Sequence, residues 1–141
     1  LAQELRKDNV SLFSTDSDNR DNGLSGKWTS LTNHSLVLSL RVDGDSLYGK
    51  GTDGDTSMSW DLKADPDDSY SGVTRRAFES GYGSCTDVLE TKIVSFTQNR
   101  IEGRMKFYVW PESQRQQVKA AKNCAKSLPK EWVEFIWVRL E

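Results

Sequence analysis

Hydrophobic and polar residues alternate with a period of two along most of the chain after residue 25. In one segment Leu36, Leu38 and Leu40 occupy every second position, and Ser39 and Arg41 lie between or beside them. In a β-strand, successive side chains point to opposite faces of the sheet, so this spacing puts the leucines on one face. The pattern therefore predicts β-strands that are buried on one side.

The same alternation predicts eight strands, separated by short clusters of turn-forming residues. Asp43-Gly44-Asp45 and Asp53-Gly54-Asp55 are typical of hairpin turns, because glycine and aspartate accept the backbone angles that tight turns need. The predicted strands are Lys27–Leu31, Leu36–Val42, Leu47–Thr52, Ser57–Leu62, Tyr70–Phe78, Val88–Phe96, Ile101–Trp110 and Trp132–Leu140.

Eight short antiparallel strands leave two exposed sheet edges unless the sheet closes on itself. We therefore predict an all-β fold, an eight-stranded antiparallel up-and-down barrel over residues 25–141. A barrel of this size holds packed side chains or one small ligand. The alternative is a two-sheet sandwich with a packed core. Residues 1–24 are rich in Asp, Asn and Ser and are predicted to be a flexible polar tail.

One connection differs from the others. Residues 111–130 join the last two strands, and the spacing over residues 112–126 predicts a helix that Pro129 would end. Its apolar side would carry Val118, Ala121 and Ala125, and its basic stripe would carry Arg115, Lys119, Lys122 and Lys126.

The two cysteines, Cys85 and Cys124, lie in the fifth-to-sixth and seventh-to-eighth connections. Loops alternate between the two ends of an up-and-down barrel, so both cysteines belong to the same end. We therefore predict a disulfide that pins the helix near the barrel mouth, and with it an oxidising compartment, secreted or periplasmic. The alternative is a pair of reduced, buried thiols.

The first predicted strand opens with Gly26-Lys27-Trp28, which resembles the Gly-x-Trp signature of the calycin superfamily of lipocalins, fatty-acid-binding proteins and avidins. The resemblance implies that a cation late in the last strand packs across this Trp, and Arg139 fits that position. Leu24-Ser25-Gly26-Lys27-Trp28-Thr29 looks most like the opening of avidins. Ser30 and Gly51 differ from the biotin-binding positions of that family, so biotin is not the expected ligand.

The alternation also predicts which side chains line the barrel near the cysteine-bearing end. An apolar, aromatic cup suits a small hydrophobic ligand, and glycines within the strands (Gly49, Gly51 and Gly103) favour space inside or bends of the sheet. The alternative is that side chains fill the interior. The predicted lining residues are Leu36, Leu38, Met58, Trp60, Phe78, Leu89, Phe107 and Trp132.

Charge is distributed in two opposite blocks. Residues 43–68 hold eight Asp and two Lys, a net charge of −6, whereas residues 100–130 hold eight Lys and Arg and two Glu, a net charge of +6. The basic helix could attract an anionic head group on the ligand. The alternative is a solvated face, partly paired with Asp53 and Asp55.

Composition excludes several classes. The formal net charge is −2, which disfavours general nucleic-acid binding, and no apolar run approaches the length of a membrane-spanning helix. The Asp43-x-Asp45 and Asp53-x-Asp55 turns do not match a calcium loop, and His34 is expected to be an ordinary loop residue. We expect no metal, no cofactor and no catalytic residues.

These observations favour a non-enzymatic secreted or periplasmic barrel that binds a small hydrophobic ligand, with or without an anionic head. The alternative is a protein-interaction module, similar to barrel-shaped protease inhibitors, that contacts its partner through residues 1–23.

Overall fold

The computed structural model describes residues 23–140, which form a barrel closed by antiparallel pairing of every strand with its neighbours in chain order. This confirms the predicted architecture. The elements are β1 (Gly26–Ser30), β2 (Leu36–Asp43), β3 (Ser46–Asp53), β4 (Thr56–Ala64), β5 (Tyr70–Glu79), β6 (Ser84–Phe96), β7 (Arg100–Tyr108), α1 (Gln114–Lys122) and β8 (Lys130–Arg139).

Tight hairpins set the register of the sheet. Gly44 and Gly54 have φ angles of 61° and 60°, in the left-handed region that glycine adopts without a steric penalty. They join strand ends that pair directly, Asp43 with Ser46 and Asp53 with Thr56. The turn chemistry therefore fixes which side chains of β2, β3 and β4 face inward.

Most predicted strand ends are displaced by one or two residues, and the largest displacement, four residues, is at the start of β6. β6 begins at Ser84 rather than Val88, because its ladder with β5 continues to the pair Glu79 and Ser84. β7 ends at Tyr108 rather than Trp110, at the last pair that it forms with Lys130 of β8. In both places the backbone ladder, rather than the hydrophobic pattern, determines the end of the strand.

Two ends of the barrel can now be distinguished. The connections at residues 31–35, 54–55, 80–83 and 109–129 lie at one end, which we call the mouth. The opposite end, where β1 begins and β8 ends, we call the base.

Aromatic rings fill the centre of the barrel. Trp137 contacts Trp60 edge-on at 5.4 Å between ring centroids and stacks on Phe135 at 4.5 Å. A Cβ atom at Gly49 would lie 2.7 Å from the Leu40 side chain and 3.1 Å from the Trp60 ring. Gly49 therefore makes room for packed side chains, not for a ligand, and the alternative of a filled interior describes this part of the barrel.

Gly103 and Gly51 have similar surroundings. A Cβ at Gly103 would collide with the ring of Phe135 and lie 2.5 Å from the carbonyl oxygen of Lys92, and one at Gly51 would lie 2.8 Å from the Cβ of Leu38. These contacts are closer than real carbon atoms tolerate, so neither position can carry a side chain without moving its neighbours.

The base is held by Arg139. Trp28 and Arg139 pair directly across the β1–β8 seam, and the guanidinium carbon lies 4.2 Å from the centroid of the buried Trp28 ring. The same guanidinium donates hydrogen bonds to the carbonyl oxygens of Ser25 (2.8 Å), Gln98 (2.7 Å) and Gly23. The cation-on-indole contact that the Gly-x-Trp resemblance implied is therefore present.

The packed domain begins slightly earlier than expected. Leu24, which we assigned to the tail, is completely buried in the core, and its carbonyl oxygen accepts a hydrogen bond from the Trp28 indole (2.9 Å). The rest of the predicted tail, and the predicted partner-binding arm apart from Gly23, lies outside the described residues.

We expect Arg139→Ala to lower the free energy of unfolding by about 2–3 kcal/mol, because it removes charge-assisted hydrogen bonds and the contact with Trp28. Urea denaturation measures the change. Arg100→Ala is the matched control, since the Arg100 side chain forms an exposed pair with Glu102 (2.8 Å) and no other ion pair within residues 23–140, and its cost should stay below about 1 kcal/mol. Equal losses in the two variants would contradict the role given to Arg139.

Candidate functional site at the mouth

Helix α1 lies in the last connection at the mouth. Ser113 caps its first turn by accepting a hydrogen bond from the Gln116 amide (3.4 Å). The helix ends at Lys122, four residues before the predicted end. Cys124 and Ala125 have φ angles of 59° and 63°, and such left-handed residues cannot continue a right-handed helix.

The predicted disulfide is confirmed. Cys85 at the start of β6 is bonded to Cys124, with 5.6 Å between the Cα atoms. The bridge closes a loop with a sequence separation of 39, for which the chain-entropy model gives about 4 kcal/mol of stabilisation. It also holds the turn after α1 over the mouth, where Ala125 is buried against Leu89 and Tyr108.

An ion pair lies beneath this turn, on the inner side of the strands. Arg76 of β5 and Asp87 of β6 are direct cross-strand neighbours. The guanidinium donates two hydrogen bonds to the carboxylate, from Nε at 3.0 Å and from Nη2 at 2.6 Å. The side chains are only 15% and 7% exposed, so each charge needs the other to offset its lost hydration.

Aromatic side chains complete the surroundings of Arg76. The guanidinium carbon lies 4.8 Å from the Phe78 ring centroid and 5.0 Å from the Phe107 ring centroid. The Tyr108 hydroxyl donates a hydrogen bond to Asp87 Oδ2 (2.9 Å), the same oxygen that accepts from Arg76 Nη2. The cation, the carboxylate and the phenol therefore form one fixed network with its charges balanced.

The network keeps Tyr108 in its neutral form. Burial, together with the hydrogen bond and the negative charge of Asp87, raises the pKa of Tyr108 to about 12. The phenol is therefore a hydrogen-bond donor throughout the physiological range and is unsuited to act as a base.

A cavity of about 290 Å³ opens beside this network, between the barrel rim and the turn after α1. Its lining combines aromatic rings, small alanines and the buried ion pair's cation. The lining residues are Arg76, Phe78, Glu79, Ser80, Phe107, Tyr108, Trp110, Ala121, Cys124 and Ala125.

Two larger depressions of about 510 and 490 Å³ lie on the outer face of the barrel and share Lys50, Ser59 and Arg75. Both are more open than the mouth cavity. The smaller of them also touches Arg76 and Asp87, but neither is lined by the aromatic rings of Phe78, Phe107 and Tyr108. We therefore take the mouth cavity as the candidate site.

The structure divides the predicted lining set. Phe78 and Phe107 line the mouth cavity, and Leu89 is fully buried directly beneath, in the same cluster as Phe107. The four others on the inner face belong to the filled centre of the barrel: Leu38 and Trp60 are buried there, with Leu36 and Met58 packed against them.

The placement of Trp132 inside the barrel was wrong. Its ring lies on the outer face, 5.2 Å from the Arg104 guanidinium carbon and 5.5 Å from the Lys106 ammonium, and the residue is 40% exposed. Arg139 and Trp137 point inward, so the period of two puts even-numbered residues of β8 outside.

Sequence reasoning missed three residues of the network. Arg76 could have been found, since it shares the inward positions of β5 with Phe78. Asp87 lies just before the predicted start of β6. Tyr108 follows the inward-facing Phe107, so the period of two puts its side chain outside. The β6–β7 ladder stops at the pair Thr91 and Met105, however, and beyond that pair the Tyr108 hydroxyl reaches Asp87.

The basic stripe of α1 remains on the surface. Its four side chains are exposed, and one of them, Lys122, lies 5.5 Å from the Tyr82 ring. The expected pairing with the acidic turn is not seen among residues 23–140. Asp53 instead accepts a hydrogen bond from the Asn33 side chain (2.9 Å).

Candidate metal ligands stay apart. Within residues 23–140, no three His, Cys, Asp or Glu side chains come close enough together to hold an ion. His34 is exposed in the β1–β2 connection. The Asp43 turn is at the base and the Asp53 turn is at the mouth.

No protein-family model matches the chain, and searches of curated proteins and of solved structures give no significant match. In the part of the chain that the structure describes, no helix has the length and hydrophobicity needed to cross a bilayer. Fold and site together define an eight-stranded antiparallel barrel whose mouth is partly covered by a disulfide-anchored helical connection.

We expect the pKa of the Tyr108 phenol to be about 12, well above the pKa of an ordinary tyrosine. The unfolded chain loses this proton near pH 10, so the stability that the phenol contributes is complete below pH 10 and disappears as the pH rises toward 12. The difference in phenolate absorbance between wild type and Tyr108→Phe isolates this group. A difference curve with its midpoint at pH 10 would contradict the network.

Reduction of the disulfide should loosen the turn after α1 before the barrel unfolds. Without the bridge, two left-handed non-glycine residues are held by packing and by backbone hydrogen bonds within the turn, such as that from the Ala125 amide to the Ala120 carbonyl (2.7 Å). We expect backbone amides of residues 120–128 to exchange faster by at least about tenfold in Cys85→Ser/Cys124→Ser than in wild type. Amides of β3 and β4 are the internal control, and uniform acceleration across both regions would indicate global destabilisation instead.

Proposed function

We propose that this protein is a non-enzymatic binding protein that holds a small hydrophobic, preferably aromatic, molecule in the mouth cavity. The observation that carries the proposal is the cavity of about 290 Å³, whose walls include Phe78, Phe107 and Trp110. Its volume is at the lower end of ligand sites, which are mostly apolar with a few fixed polar groups.

The filled barrel centre limits the size of the ligand. Trp60, Trp137 and Phe135 occupy the space that a long hydrocarbon chain would enter. A compact ring system fits the remaining volume better than a long-chain fatty acid or a retinoid.

Electrostatics favour a ligand whose buried part is neutral. The charge of Arg76 is already matched by Asp87 through two hydrogen bonds, so it does not demand a second anion. The exposed lysines of α1 lie at the same end of the barrel, where an anionic substituent facing solvent would be favoured. The ligand that fits is an aromatic body with, at most, a solvent-facing carboxylate or phosphate.

The proposal extends to location and ancestry. The Cys85–Cys124 bridge supports an oxidising compartment, extracellular or periplasmic, because such bonds are rare in reducing cytosol. The Trp28–Arg139 contact and the strand count support a relationship with calycin-type barrels.

Blocking the cavity tests the function. We expect Ala121→Phe to weaken binding of an aromatic reporter dye by at least about tenfold, because the added ring occupies the cavity. Ala64→Phe is the matched control, since Ala64 is exposed at the end of β4 near the base. Trp110, which is 45% exposed at the rim, supplies a fluorescence signal for direct titration.

Competition with the dye defines the ligand class. Indole-sized aromatic acids should displace it, whereas palmitate, retinol and biotin should be at least about tenfold weaker. Failure of wild type to bind any of these compounds, or equal binding by the two phenylalanine variants, would refute the proposal.

A further inference from the structure

The barrel seam is closed over only part of its length. β1 has five residues and β8 has ten. Their ladder runs from the pair Trp28 and Arg139 to the pair Ser30 and Trp137, and a last bond joins the Leu31 amide to the Ile136 carbonyl (2.9 Å). β7, in contrast, pairs with β8 all the way to Lys130. Within residues 23–140, the segment 130–135 therefore has a strand partner on one side only.

The backbone groups that face the open side can be identified. At the two ends of the β7–β8 ladder, the Val109 amide donates to the Pro129 carbonyl (2.8 Å) and the Arg139 amide donates to the Asn99 carbonyl (3.2 Å). Odd-numbered residues of β8 thus bond toward β7. Even-numbered residues point the other way, as the Leu140 amide does when it donates to the Lys27 carbonyl (2.9 Å).

It follows that the amide and carbonyl groups of Lys130, Trp132 and Glu134 face the open side. No strand within residues 23–140 forms a ladder with them. The side chains agree: Val133 occupies an inward position yet is 46% exposed, and Trp132 is 40% exposed. An edge with free donors and acceptors and exposed apolar side chains is a template for another strand.

We propose that this edge pairs with the same edge of a second copy, giving a two-fold symmetric dimer through antiparallel β8 strands. Pairing two copies of one edge closes the assembly, because each edge is used once. The proposal is independent of the ligand site at the mouth.

Charge complementarity selects the register. When Trp132 lies opposite the partner's Trp132, Lys130 lies opposite the partner's Glu134, and the symmetric pair repeats on the other side of the axis. The backbone amide and carbonyl groups of these residues all face the open side of β8, so about six hydrogen bonds form across the two-fold axis. Opposite charges directly across an antiparallel pair are stabilising, as are facing aromatic rings.

Neither charged group forms an ion pair within the described part of the chain. The Lys130 ammonium lies 5.3 Å from the Tyr108 ring, and Glu134 forms no ion pair with residues 23–140. The neighbouring register, centred on Val133, would put Lys130 opposite the partner's Ile136 and leave the charges unmatched.

Charge exchange tests both the dimer and its register. By sedimentation equilibrium at low salt, we expect wild type to dimerise and Lys130→Glu or Glu134→Lys each to raise the dimer dissociation constant by about tenfold. The double variant Lys130→Glu/Glu134→Lys restores the opposite-charge pairs and should recover most of the wild-type affinity. Lys63→Glu, which makes the same charge change near the base, should have no effect.

A crosslink gives a second readout. Trp132→Cys should form a covalent dimer under mild oxidation, because hydrogen-bonded residues directly opposite each other are about 5.5 Å apart, within disulfide range. Glu102→Cys, on the outer face of β7, should not. A monomeric wild type, failure of the double variant to recover, or dimerisation only after deletion of residues 1–22 would overturn the proposal, the last by showing that this segment covers the edge.

Discussion

The closure of the barrel depends on the contact between Arg139 and Trp28. β1 is too short to close the seam by backbone bonds alone, since it pairs with β8 at only three positions. Arg139 compensates by binding three carbonyl groups from two separate segments and covering the indole at the same time. Gly26 permits this approach, because a Cβ there would lie 2.5 Å from the guanidinium nitrogen. Once β1 is fixed in this way, the inward and outward faces of every other strand follow.

The parts of the fold that the sequence predicts are those with a repeating physical signal. Alternation of hydrophobic and polar residues identified the strands. Because successive loops lie at alternate ends of the barrel, Cys85 and Cys124 were expected at the same end. The expected contact of Arg139 with Trp28 also puts the odd-numbered residues of β8 on the inner face. The same contact could therefore have predicted that Trp132 lies outside. The alternation alone misled there, since both faces of β8 carry apolar side chains and neither stands out as the core face.

The mouth could not be derived in the same way because it lies where the ladders stop. Tyr108 reaches Asp87 only because β6 and β7 have separated by that point. A buried ion pair costs hydration that its attraction offsets only when the geometry is good and the remaining lone pairs have partners. Here the phenol supplies such a partner, because it donates to Asp87 Oδ2, which also accepts from Arg76. Three residues from three strands are therefore needed together, and no local sequence pattern identifies such a set.

The fold separates the two charge blocks only in part. The acidic turns at 43–45 and 65–68 lie at the base and the lysines and arginine of α1 lie at the mouth, but Asp53 and Asp55 also lie at the mouth. An anion that approaches this end is attracted by α1 and repelled by the turn between β3 and β4. It is therefore steered to the helix side of the rim rather than to its whole circumference.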